Sequence, residues 1–254
     1  MPIKLSERIP AELPDEVRET LRKYVKEVTG IFGDTLEGVI LYGSAARGEF
    51  LTGRSNLNVI LLLAQHDMTR LQRYAKSHRR WSPDRIVVPL FLTERDIRDS
   101  QTLFPLEYVE IKHHHALLMG HDPFPSLLID QGNLAAQCAR EIIGNLVRLR
   151  QRFVEGAGKS EALAILLPVS LTTLLPCLRG QYYLRGLPLP SSTDALLSDM
   201  SPRFGLDAFA LQEVWNLKRG VVTPGPVEMP RLFERYAVAL QTLSDWARQG
   251  VRPS

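Results

Sequence analysis

Two apolar runs, separated by a glycine-serine turn and a long polar loop, set the terms for the whole chain. Val39-Ile40-Leu41-Tyr42 is a short unbroken run of β-branched, aliphatic and aromatic residues, the composition of a strand buried on both faces. Val59 to Leu63 is a second such run and should pair beside the first. Gly43 and Ser44 close the first strand. Ser44 is placed to cap a short following helix, which would aim the backbone amides of Ser44 to Ala46 outward as a seat for a phosphate. Arg47, one helical turn on, is placed to add a charge-assisted hydrogen bond to the same anion, and Gly48 lets the backbone turn away.

The order of strand, Gly43-Ser44-x-x-Arg47-Gly48, polar loop with Ser55, and second strand resembles the signature of the polymerase-β-like nucleotidyltransferase superfamily. In that superfamily the Gly-Ser pair holds the triphosphate of a nucleotide. An Asp-x-Asp pair on the next strand and a third carboxylate from a later strand hold two Mg²⁺ ions, which bridge the phosphates and activate the attacking hydroxyl. This chain departs from the pattern. The Asp positions are filled by Asn56 and Asn58, with Leu57 between them, and the third apolar run, Ile86 to Leu92, carries no acid.

Mg²⁺ is a hard cation that prefers charged oxygens, and a neutral amide neither cancels its charge nor acts as a base. A loss of about 4 kcal/mol of transition-state stabilisation already slows a reaction roughly a thousandfold. The resemblance therefore implies a nucleotidyltransferase fold without its catalytic metals: no catalytic residues, no metal ligands and no cofactor. A nucleotide-binding site of Gly43, Ser44, Arg47, Asn56 and Asn58, in a cleft between two domains, is the expectation. Two other readings stand beside it. In one, the chain is an active Mg-dependent transferase of a nucleoside monophosphate to a hydroxyl, with Asn58 or a displaced acid such as Glu49 assisting a single metal. In the other, it is a scaffold whose useful surface is a helical bundle with no ligand.

The chain has 254 residues, enough for two modest domains, and its net charge of +3 is too small for a polynucleotide partner to be expected. The expected partners are a nucleoside triphosphate, and a protein or a second copy of the chain. Cys138 and Cys177 lie far apart within helical patterns and read as small core residues, not a disulfide. The opening MPIKLSERIP has no apolar signal region, which makes a cytoplasmic protein the expectation. Ala162 to Leu178 is uncharged, but it is short for a membrane span and contains Pro168 and Pro176. It reads as a kinked helix buried in a bundle, so no membrane partner is expected.

Along the chain, Val17, Leu21, Val25 and Val28 recur at helical spacing after Pro14 and predict an amphipathic helix ending near Gly30. Met68 to Arg80 is a basic helix or loop with a solvated face. In the third strand, Ile86 to Leu92, Pro89 calls for an edge position or a bulge. Phe104 to Gly120 reads as a helix with Pro105 in its first turn. Its neighbours His113, His114 and His115 would point in three directions and, with His121, make no metal site. From Asn133 only helical patterns follow, among them an apolar helix interrupted at Pro168 and ending near Gly180. The fold class expected is α+β: a small mixed-sheet domain over residues 1–126, then an α-helical bundle domain over residues 127–254.

Overall fold

The structure, a computed structural model, describes residues 9–250; the opening stretch read for a signal region falls largely on residues 1–8, outside the described residues. The chain divides into two compact units. The first runs up to Leu103 and resumes over Tyr108–Ile129; the second takes Phe104–Glu107 and everything from Asp130 onward.

The first unit is built on a four-stranded mixed sheet. Asp15 and Glu16 in the first turn favour the positive end of α1 (Asp15–Phe32), whose stripe Leu21, Tyr24, Val25, Val28 and Phe32 is buried. Gly30 lies inside this helix, and Gly33 ends it. Strands β1 (Leu36–Tyr42) and β2 (Asn58–Leu63) follow as the apolar runs require. Then come α2 (Met68–His78), with Asp67 accepting from the Thr69 and Arg70 amides, β3 (Leu90–Leu92), and α3 (Glu94–Ser100), opened by a Thr93/Asp96 capping box. The unit is completed by α4 (Pro105–His113), from Tyr108 onward, and by β4 (His115–Gly120).

The strand order is β3-β2-β1-β4, with β1 antiparallel to both β2 and β4, and β3 parallel to β2. One face of the central pair, Val39, Leu41, Val59, Leu61 and Leu63, forms a single core with the α1 stripe and Tyr74 of α2. The Tyr24 hydroxyl meets that of Tyr74 at 2.9 Å, so neither buried phenol lacks a hydrogen-bond partner.

Two expectations for this unit are corrected. The segment from Phe104 to Gly120 is not one helix, because α4 stops at His113 and the chain re-enters the sheet as β4. The physical reason is the open side of β1. Its residues from Gly38 to Tyr42 need a second partner to satisfy their backbone groups, and β4 supplies it, with Tyr42 opposite His115 and Gly38 opposite Gly120. The third strand is also shorter than its apolar run. Ile86 makes only an isolated bridge to Leu57, residues 87–89 are irregular, and regular pairing begins after Pro89, on the edge of the sheet.

The second unit is helical: α5 (Gln131–Glu155), α6 (Ser160–Leu184), α7 (Thr193–Ser198), α8 (Met200–Phe204), α9 (Ala208–Arg219) and α10 (Glu228–Gly250). Asp130, Ser192 and Asp207 each cap a helix through a side-chain oxygen. Leu134, Ile142, Leu146, Leu167, Leu171, Leu174, Leu211, Val214, Leu232 and Leu240 fill the core, and Phe153 stacks on Phe233 with ring centroids 4.5 Å apart.

Helix α6 is long and apolar enough to cross a membrane by length and composition, and 44% of its most apolar window is buried in the protein. It is not interrupted at Pro168; it runs through both prolines and past Gly180. The Thr172 and Thr173 hydroxyls donate to the Pro168 and Val169 carbonyls one turn back, and Gly180 faces the Cys138 sulfur and Leu106 where a side chain would collide. The two cysteines, distant in sequence, are neighbours in space. Both are free and buried, Cys138 Sγ lies 4.0 Å from the Cys177 carbonyl, and the hydrogen bond with the Cys138 thiol, followed by burial, pushes the Cys177 thiol well above its ordinary range.

Candidate functional site

The residues singled out by the sequence meet in the first unit, at the end of the sheet where β1 stops and β2 and β4 begin. Tyr42, the last residue of β1, stands opposite Asn58 on one side and His115 on the other, so these three side chains form a row on one face. Burial pushes the Tyr42 phenol above its ordinary range.

Gly43 follows at φ +79°, a conformation that L side chains rarely adopt, and a Cβ there would lie 2.8 Å from Asn58 Nδ2. The Asn58 amide is thus packed onto the bare α-carbon of the turn. Only glycine permits both the turn and this approach.

Residues Gly43–Ala45 form a single 3₁₀ turn, and this revises two details of the phosphate seat. Ser44 lies inside the turn and does not cap it, since the N-cap position is Tyr42 and makes no side-chain cap. The Ala46 amide is not aimed outward either: it donates to the Gly43 carbonyl at 3.1 Å, as does that of Arg47. The Ser44 amide precedes the first donor of the turn, which is Ala45 by the i to i+3 pattern, and remains a donor at its opening.

Arg47 does not project into open solvent. Its Nε donates to Glu49 Oε2 and its Nη1 to Glu110 Oε2, both at 3.2 Å, and all three side chains are about 15% exposed or less. Glu110 comes from α4, sixty-three positions along the chain, so no local pattern announces it.

The polar loop is pinned by its own residues and by a distant arginine. The Leu51 amide donates to Ser55 Oγ, and the Leu51 carbonyl accepts the amides of Arg54 and Ser55. Arg85, at φ +60°, donates from its guanidinium to the carbonyls of Arg54 and Ser55 at 2.8 and 2.9 Å, and its own carbonyl receives the Leu57 amide. This strained backbone position holds the approach to Asn56. Asn56 itself is exposed, Asn58 half-buried and Leu57 buried, the alternation of an extended segment.

On β3, the position in register with Ile60 is Leu90, 43% exposed, and Val88 before it is 63% exposed. Apolar side chains therefore line the edge beside Asn58. The histidines go separate ways. His115 meets Asp122 and the Ile111 carbonyl at 2.8 and 2.7 Å, His121 meets Glu94 at 3.2 Å, and His113 is lowered from its ordinary range by burial and then by Lys112. Among the described residues no group of three or more His, Cys, Asp or Glu is placed to share a metal ion.

The fold defined by this mixed sheet and its glycine-serine turn, followed by a helical domain, is that of a nucleotidyltransferase. A solved structure that shares it is spectinomycin adenyltransferase AAD(9) from Enterococcus faecialis, determined with ATP and spectinomycin. The likeness covers 88% of this chain and 99% of that one at a TM-score of 0.50, with 9% sequence identity. No family model matches the chain, and no curated protein matches its sequence.

Proposed function

We propose that this protein uses a nucleotidyltransferase fold to bind a nucleotide at the Gly43-Ser44 turn without carrying out transfer. The observation that carries the reading is the Asn58 amide packed onto Gly43, at the place where the resembling superfamily has a metal-holding acid. Asn56, Asn58, Val88 and Leu90 are the side chains at this end of β2 and β3. Two neutral amides and two hydrocarbons do not fit Mg²⁺, which requires charged oxygens in octahedral array. Glu49, the displaced acid that an active enzyme would call on, is committed to Arg47. The neighbour solved with ATP supports a nucleotide as the class of ligand.

Binding without a metal has a physical basis. The Ser44 amide and the Ser44 hydroxyl are hydrogen-bond donors at a turn, and neutral Asn56 and Asn58 spare a phosphate the repulsion that bare aspartates would exert. Calorimetric titration with the four nucleoside triphosphates should give dissociation constants of roughly 0.1 to 1 mM, little changed by EDTA. Ser44→Ala should weaken binding about five- to tenfold, the size of a lost hydrogen bond to a charged group. Loss of all binding in EDTA would overturn the metal-free reading. Silence at millimolar nucleotide would overturn the binding site and leave the scaffold reading.

The proposal also fixes what repair should fail to do. Asn56→Asp with Asn58→Asp should produce no measurable Mg-dependent transfer to a panel of hydroxyl acceptors, because Val88 and Leu90 supply no third carboxylate. Turnover by the double variant would refute it.

A further inference from the structure

The geometry points to Glu110 as a positioning residue that holds Arg47 off the phosphate seat, so that the site disfavours highly charged phosphate ligands until this contact is released. The inference rests on the proposed nucleotide site at Gly43-Ser44.

Arg47 is the only cation supplied by the Gly43–Gly48 turn, and a guanidinium gains most from anions that it meets along its planar fork. Here two donors of that fork are already engaged, Nε with Glu49 Oε2 and Nη1 with Glu110 Oε2. The contacts are largely screened from water, with Arg47, Glu49 and Glu110 exposed by 15, 14 and 15%, so they are stronger than a surface pair of the same length.

The two carboxylates differ in origin. Glu49 lies two residues beyond Arg47 and moves with the turn, whereas Glu110 reaches in from α4, so it fixes the arginine relative to the rest of the first unit. An incoming triphosphate must compete with both carboxylates for the same donors and must approach their charge. A ligand with fewer phosphates meets less of that opposition, and its contacts at the Ser44 amide and hydroxyl are unaffected. The wild-type site should therefore separate ATP, ADP and AMP far less than a site with a free arginine would.

Calorimetry on the full chain, with ATP, ADP, AMP and inorganic pyrophosphate as probes, tests this. Glu110→Gln keeps the shape of the side chain and removes its charge. It should bind ATP and pyrophosphate about tenfold more tightly than the wild type, and AMP no more than about twofold. The gain should vanish when Arg47→Met is added, which separates release of the arginine from a general loss of negative charge. Glu49→Gln, read in the same way, serves if Glu110→Gln does not fold, and circular dichroism decides which variant is used.

Detectable ATP binding by the wild type with no tightening in the variant overturns the role of Glu110 and leaves the nucleotide site standing. A gain that persists without Arg47 overturns it as well. If neither protein binds any probe, the nucleotide site itself is refuted and this inference falls with it. Binding by the variant alone supports the hold on Arg47 and overturns nucleotide binding by the wild-type protein.

Discussion

Gly120→Ala is expected to destabilise the first unit by about 3 to 5 kcal/mol, the sum of a left-handed backbone forced on an L residue and an overpacked contact that cannot relax. Gly120 ends β4 at φ +84°, and a Cβ there would sit 2.0 Å from the Glu37 carbonyl oxygen and 2.9 Å from the Gly38 α-carbon. Neither obstacle is a side chain that could swing aside. Both belong to β1, which is held at this point by the pairing of Gly38 with Gly120 and by the His121 amide on the Glu37 carbonyl at 2.9 Å. Moving β1 away to make room would break the pairing of β1 with β4. Urea unfolding followed by circular dichroism checks this, and an unchanged midpoint would show that the close approach of β4 to β1 is not as described.

The second large effect is expected in the helical unit, where Asn145→Ala should cost about 2 to 4 kcal/mol. Asn145 on α5 donates to the Ser170 carbonyl of α6 at 2.8 Å and accepts the Ser170 hydroxyl at 2.6 Å, while the Tyr236 hydroxyl of α10 meets the same serine at 2.9 Å. All three residues are at most 5% exposed, and burial pushes the Tyr236 phenol far above its ordinary range. Truncating the amide leaves a void and removes the side chain that answers both the carbonyl and the hydroxyl of Ser170. Tyr236→Phe should be milder, about 1 kcal/mol, because the Asn145–Ser170 pair survives it. Thermal melts of the two variants should fall in that order, and a Tyr236→Phe effect equal to or larger than that of Asn145→Ala would contradict the network.

What the sequence made legible follows from the range over which each signal acts. The strands β1 and β2 are unbroken apolar runs on either side of a turn, and such runs are read locally. Strand β4 was hidden because it begins two residues after a helix, and its histidine and leucines continue that helix's pattern without a break. Only the unpaired side of β1 reveals it, and that is a fact of three dimensions. The same holds for the site. Gly43, Ser44 and Asn58 are brought together by one turn and one strand pair, but the partnership of Arg47 with Glu110 and the grip of Arg85 on the polar loop join segments with no common motif. Pro168 misled for a different reason: the missing amide of a proline weakens a helix without ending it when the surrounding helices bury the same face.

The short edge strand has a consequence for the protein in concentrated solution. A neighbouring chain that tries to add a strand alongside β3 finds three residues of regular backbone and then Pro89, which has no amide proton to offer. Such a ladder breaks off after a few bonds. The margin of the sheet beside Asn58 is blunt, and a stray strand gains no foothold there from which to grow a larger aggregate.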